Sequence, residues 1–317
     1  MKRFLPIALA LMSSAPIALA EPTHRVFVTN EKDNTVSVIN GQTNKVETTV
    51  EIGKQPRGIG IARDGSEVYV AVSAENAIAV LDPKSLKVLR KFKSGPDPEA
   101  FAVHPNGHLY ISNEDDAKAS VFDPKTGQLI AEIPVGLEPE GVAVSPDGRQ
   151  VIVTSESTNM LHVIAVAENK VVANILVGAR PRAAVFTQDG KTAYATSEIS
   201  GEVKRVDMEG HKILNKVALG DDKIKPKDVL LSKDEGTLYV AGGRANQVIV
   251  LDAKTLAIKT RIPVGERVWG LAMSRDGQKL YSTNGVSNTV SVIDTAKNAV
   301  VETIPVGKGP WGVVIDD

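Results

Sequence analysis

The chain contains no cysteine. That excludes a disulfide framework, a cysteine nucleophile, a zinc–thiolate site and a CxxCH haem attachment. It also lacks a basic surplus: 37 Lys and Arg stand against 38 Asp and Glu, a formal charge of −1. An electrostatic footprint for nucleic acid or anionic lipid is therefore missing. Histidine is scarce, with five in 317 residues, and the five fall at unrelated repeat positions. His24 precedes the first strand signal, His104 and His108 bracket a turn on the far face, His162 sits in a third strand and His211 in a polar turn. Neither GxSxG nor HExxH occurs, so the spacings that bring a nucleophile or a zinc ion to a base are absent.

The one long apolar run is at the start. Met1-Lys2-Arg3 precedes an apolar stretch from Phe4 to Leu19, interrupted by Pro6, Ser13-Ser14 and Pro16, and Ala18-Leu19-Ala20 precedes Glu21. A basic start, a short apolar core and a small-x-small site predict a secretory signal peptide over 1–20. The run is short for a helix crossing ~30 Å of hydrocarbon, and its prolines argue against a membrane anchor. Cleavage after Ala20 leaves one domain, 21–317, with 35 Lys and Arg and a formal charge of −3. Its expected address is the periplasm, with no membrane insertion. Without disulfides such a domain is held by its core, and 297 residues suffice for a substantial one.

What is abundant is repetition. Seven segments share one pattern: Pro56-Arg57-Gly58, Pro98-Glu99-Ala100, Pro139-Glu140-Gly141, Pro181-Arg182-Ala183, Pro226-Lys227-Asp228, Val268-Trp269-Gly270 and Pro310-Trp311-Gly312. Their middle residues are 42, 41, 42, 45, 42 and 42 apart. The three extra residues fall in the loop Gly220-Asp221-Asp222-Lys223. Each unit carries four short strand signals. An apolar run follows the proline, as in Gly141–Val144, then a turn such as Arg63-Asp64-Gly65, Pro146-Asp147-Gly148, Gln188-Asp189-Gly190 or Arg275-Asp276-Gly277. Asp-Gly between apolar runs signals a hairpin. The second strand reads like Glu67–Val72, the third like Thr35–Ile39 or Thr289–Ile293, and the fourth like Lys45–Val50 or Val300–Ile304. Alternation and β-branched content fit strands. Pro134, Pro263 and Pro305 fall in fourth strands, which marks that strand as the outer edge, where a missing N–H is tolerated.

Four strands at this period predict a seven-bladed β-propeller of four-stranded antiparallel blades. The first unit begins at its second strand, and the stretch 311–317 is a first strand without a blade. It is expected to complete the first blade and close the ring, leaving no unpaired inner edge.

Tyr69-Val70, Tyr110-Ile111, Tyr239-Val240 and Phe27-Val-Thr-Asn30 resemble the YVTN β-propeller repeat, a WD40-like architecture. Blade-specific stretches give a closer resemblance. They include Asn30–Ile39, Ser94-Gly-Pro-Asp-Pro-Glu99, His104-Pro-Asn-Gly107, Asn113-Glu-Asp-Asp116, Glu138-Pro-Glu-Gly141, Thr154–Met160, Arg180-Pro-Arg182, Val268-Trp269 and Thr283–Asn288. Together these resemble the PQQ-dependent catabolism-associated β-propeller family over nearly all of 24–317. The resemblance implies a periplasmic protein found with PQQ-dependent alcohol oxidation and an associated ABC transporter. A PQQ-dependent dehydrogenase or the transporter's binding protein is then the expected partner. It implies no settled activity and no catalytic residue.

In a propeller the first strand starts, and the second ends, on one face. The residues after the recurring proline therefore form a ring at the channel mouth: Arg57, Glu99, Glu140, Arg182, Lys227, Trp269 and Trp311. Glu31, Glu114, Glu156 and Glu198 join them from second-strand ends, and Asp97, Asp115, Asp116 and Glu138 from the same loops. Four readings follow. Glu99, Glu140, Glu114 and Glu156 could ligate a hard cation, Ca²⁺ or a lanthanide, which takes several oxygen ligands; the alternative is that Arg57 and Arg182 pair with Glu99 and Glu140 across blades. Arg57, Arg182 and Lys227 could hold an anion and Trp269 and Trp311 stack on its ring, PQQ combining both features; the alternative is that the Trp pair caps the channel. The face could instead be a protein-interaction scaffold. A metal-dependent, lactonase-like hydrolase is the remaining alternative, and the missing nucleophile–base pair makes a non-catalytic role the expectation.

Overall fold

The computed structural model describes residues 20–317; the predicted signal peptide lies outside the described residues except for Ala20. Seven four-stranded antiparallel sheets are arranged around a central channel. Blades are numbered from the N-terminus. Blade one contains Arg25–Asn30, Thr35–Asn40 and Lys45–Glu51, and its innermost strand is Pro310–Asp316. Blades two to seven begin at Pro56, Pro98, Pro139, Pro181, Val229 and Val268.

The C-terminal strand pairs antiparallel with Arg25–Asn30, Arg25 opposite Asp316 and Val28 opposite Val313. The expected closure by 311–317 is thus made, and it begins one residue earlier, at Pro310. Thr23 reinforces it, its N–H and Oγ1 donating to Asp316 Oδ2 at 2.8 and 2.5 Å.

Turn chemistry builds the blades. In the first hairpins Gly65 and Gly148 take φ of 72° and 71°, a region open to glycine at no steric cost. Between second and third strands the left-handed position holds Asn34, Asn76, Asn159, Asn246 and Asn288, since asparagine tolerates αL. These asparagines do a second job. Their Oδ1 atoms accept backbone N–H groups of the next blade, from Gln55, Asp97, Arg180, Arg267 and Gly309, at 2.9–3.1 Å.

Second and third strands are buried on both faces, while fourth strands are largely exposed. Pro134, Pro263 and Pro305 end outer strands, where the sequence placed them. The core is divided among the seams between blades. Phe27, Val36 and Val38 of blade one pack on Val68, Val70 and Ala79 of blade two. Seven such clusters occur, one per seam, including Val26, Val28 and Ile39 against Tyr281, Val290 and Val292 at the closing seam.

One element departs from expectation. The first strand of blade six, expected directly after Pro226, is confined to Val229–Leu231. Asp228 stands where every other blade has Gly or Ala.

Candidate functional site

The ring is held by its backbone before any side chain is considered. In blade one Thr29 Oγ1 accepts the N–H of Gly312 at 2.9 Å and donates to the carbonyl of Arg57, in blade two, at 2.8 Å. The same pair of bonds recurs at Ser112, Thr154, Thr196 and Thr283. It fixes the carbonyls of Glu140, Arg182, Lys227 and Trp311. Each hydroxyl thereby welds two blades and sets the backbone from which a mouth residue projects. Blades two and six carry Ala71 and Ala241 instead. In blade two Ser73 Oγ reaches the carbonyl of Pro98 at 2.6 Å. In blade six the carboxylate of Asp228 takes over: Oδ2 accepts the N–H of Leu271, in blade seven, and Oδ1 that of Val229, both at 2.8 Å. Asp228 as a whole residue keeps some exposure, but both oxygens face the seam. Burial there pushes its pKa up to about 6 against the pull of the two N–H groups.

The mouth side chains fall into three sectors. Around Arg57 gather four carboxylates. Its guanidinium contacts Glu99, bonds Glu31 at 2.9 Å, and lies 3.6 Å from Asp97 and 3.8 Å from Glu114. One cation among four carboxylates leaves three formal negative charges uncompensated. Burial, then Glu140 and Asp97, push the Glu114 carboxyl up to about 7 despite Arg57. Carboxylate oxygens of Asp97, Glu99 and Glu114 lie within 4.8 Å of one another.

The second sector is balanced. Arg182, almost wholly buried, bonds Glu140 at 2.6 Å and contacts Glu156. The Arg180 guanidinium lies 2.5 Å from Glu156 and 3.4 Å from Glu198. Lys227 bonds Glu198 at 2.6 Å. Three cations thus meet three carboxylates. Burial, which alone would raise Glu198, is outweighed by Lys227, Arg182 and Arg180, so its pKa falls. Burial and the Arg182 charge bring Lys227 down to about 7, with Glu198 resisting.

The third sector is aromatic. Trp269 and Trp311 stack with ring centroids 5.9 Å apart at 23°. Lys227 Nζ lies 4.3 Å from the Trp269 ring centre, and the guanidinium carbons of Arg267 and Arg182 lie at 5.0 and 5.4 Å, within cation–π range. A cavity of about 160 Å³ opens here, lined by Glu140, Arg182, Lys227, Asp228, Trp269 and Trp311 and floored by small residues of the inner strands.

The four carboxylates expected as one ligand set are divided. Glu99 and Glu114 share the Arg57 sector, whereas Glu140 and Glu156 lie on Arg182. The pairing of Arg57 with Glu99 and of Arg182 with Glu140, the alternative weighed from sequence, is present. Of the expected anion-site residues, Arg182, Lys227, Trp269 and Trp311 come together around one cavity, and Arg57 lies in the acidic sector. Sequence reasoning overlooked Arg267, Arg180 and Asp228 as members of the site. Asp228 left a visible signal, being the acidic exception at a Gly/Ala position. The histidines stay elsewhere: His104 bonds the carbonyl of Gly148 at 2.7 Å, and buried His162 bonds Asn174 at 2.6 Å.

Fold and ring define a seven-bladed β-propeller with a differentiated channel mouth. The family model of the YNCE-like beta-propeller matches residues 3–110 and 93–192, and the chain belongs to that family. No curated protein sequence matches it. Among solved structures it is similar to a functionally unknown protein of Desulfotomaculum acetoxidans, with 17% identity, TM-score 0.81, and 92% of this chain and 98% of that one covered. It is also similar to a hydrazine synthase chain of Kuenenia stuttgartiensis (22%, TM-score 0.74, 81% and 88%). A third, from Bacteroides uniformis, is provisionally described as a 6-phosphogluconolactonase (18%, TM-score 0.77, 92% and 98%). At these identities the likeness establishes the fold alone.

Proposed function

We propose that this chain is a non-catalytic periplasmic binding protein, exported by the leader at 1–20, that serves PQQ-dependent alcohol oxidation as an accessory. Its ligand site is the channel mouth, and its ligand is an organic anion with a planar body. The observation that carries this reading is the cavity in which a stacked Trp pair adjoins two buried cations, Arg182 and Lys227. Desolvated cations beside an aromatic surface favour an anion that can also bury a ring. The link to PQQ comes from the blade-specific motifs; with it come a PQQ-dependent dehydrogenase or a transporter's binding protein as partners. Trp269 and Trp311 are the chain's two tryptophans, so tryptophan emission, excited selectively over the five tyrosines, reports this site alone. Titration with PQQ should change the emission saturably. Unaltered emission and no calorimetric heat at high PQQ would remove PQQ as ligand.

A second reading has its own observation. The uncompensated charge around Arg57 and the proximity of Asp97, Glu99 and Glu114 favour a hard cation there. On this reading Asp97 replaces Glu140 and Glu156 in the ligand set. Calorimetry with Ca²⁺ and La³⁺ should give one-to-one heat and a raised melting temperature, both lost in Glu114→Gln. No heat and unchanged melting would dismiss the cation.

A further inference from the structure

Resting on the binding reading above, we infer that the mouth cavity selects a single-ring organic monocarboxylate. Its carboxylate would sit on Lys227 and Arg182 and its ring against Trp269 and Trp311.

Size is the first argument. An apolar cavity of about 150 Å³ takes a benzene ring, and this one measures about 160 Å³. A fused three-ring quinone such as PQQ would enter by one edge, with the rest of its body standing outside, whereas a single ring is taken up whole. The walls are the second argument. Ala100, Gly141, Val142, Ala183 and Ala184 supply a smooth apolar floor. It stays narrow because neighbouring backbones nearly touch: a Cβ added at Gly141 would lie 2.2 Å from the carbonyl oxygen of Arg182.

Charge is the third argument. Arg180, Arg182 and Lys227 are matched by Glu140, Glu156 and Glu198, and the Asp228 carboxylate is held by two backbone N–H groups. Arg267, beside Trp269, joins no ion pair among the described residues. Arg267 is thus the one cation of these four that no side-chain carboxylate pairs, and a single unpaired guanidinium suits a monoanion. A polycarboxylate would press its remaining charges on Glu140 and Glu198. Lys227 uses one of its three donors on Glu198, leaving donors for an incoming oxygen. Its ammonium, held down to about 7 by burial and Arg182, is favoured by any carboxylate that enters.

The test uses the unmodified protein with benzoate, its neutral isostere benzamide, and PQQ, followed by tryptophan emission and calorimetry. We expect saturable one-to-one binding of benzoate, and benzamide at least tenfold weaker. Lys227→Met should narrow that tenfold gap. Equal binding of benzoate and benzamide would overturn carboxylate recognition. Saturable PQQ binding with no response to benzoate would overturn the size argument and leave the proposed function standing. No response to any of the three would remove both.

Discussion

At the residue scale, the mouth is a place where charges are buried together. Arg182 is held between Glu140 and Glu156 with almost no solvent contact. Removing one partner of such a group leaves uncompensated buried charge, which costs about 3–5 kcal/mol. Arg182→Met should therefore lower the unfolding free energy measured by denaturant titration by that order, and a loss below 1 kcal/mol would show the cluster to be solvated. Glu114 behaves differently. Its folded pKa is raised from 4.5 to about 7, so between those values the native state holds more protons than the unfolded chain. Its contribution is present below about pH 4.5 and is lost as pH rises through about 7. Glu114→Gln should thus stabilise the protein by about 1–2 kcal/mol above pH 7, allowing for solvent screening. It should also flatten the fall of the melting temperature between pH 4.5 and 7. A variant with an unchanged pH profile contradicts the assignment.

At the element scale, the repeating unit is a blade whose second strand ends in a hydroxyl that bonds both its own first strand and the next blade's ring residue. Thr29, Ser112, Thr154, Thr196 and Thr283 occupy this place. Blade six, whose Ala241 has no hydroxyl, is tied across its seam by a different bond, the Asp228 carboxylate accepting the N–H of Leu271. Asp228→Gly alone should strand the N–H of Leu271, costing about 1–3 kcal/mol and speeding amide exchange there. Adding Ala241→Thr restores a hydroxyl to the second strand but offers the N–H of Leu271 no acceptor, so fast exchange at that amide should persist in the double variant. Slow exchange at Leu271 in either variant would contradict the carboxylate's role at this seam. The oddity of Asp228 could be read from the repeat alignment. Its role could not, because Leu271 belongs to another blade, 43 residues along the chain.

At the scale of the whole molecule, seven seams share the core, and the two that flank blade one take residues from the closing strand. The closing strand supplies Val313 to one seam and Trp311 to the mouth. Deleting 310–317 should expose the inner edge of Arg25–Asn30, which presents unpaired backbone groups to other chains. The truncated protein should melt with lost cooperativity and run as aggregates in size-exclusion chromatography; a monomer with unchanged melting would show closure to be dispensable. Removing the hydroxyl half of the Thr23 clasp by Thr23→Ala should cost only about 1 kcal/mol, the net worth of an ordinary hydrogen bond.

Sequence alone determined the blade count, the four strands per blade, the outer position of the proline-bearing strands and the return of the C-terminus to the first blade. These follow from local turn chemistry and a fixed period, which act within about 42 residues. It also determined which seven residues ring the mouth, since equivalent positions in a repeat become neighbours around an axis. Only the tertiary structure decided how those residues divide. Glu99 and Glu140 are adjacent in the ring, yet each turns to a different guanidinium. Side chains choose partners by distance and burial across seams, and the repeat is silent about both. The repeat thus gave the ring its members, and the packing of seven unlike seams gave them one balanced, one acidic and one aromatic sector.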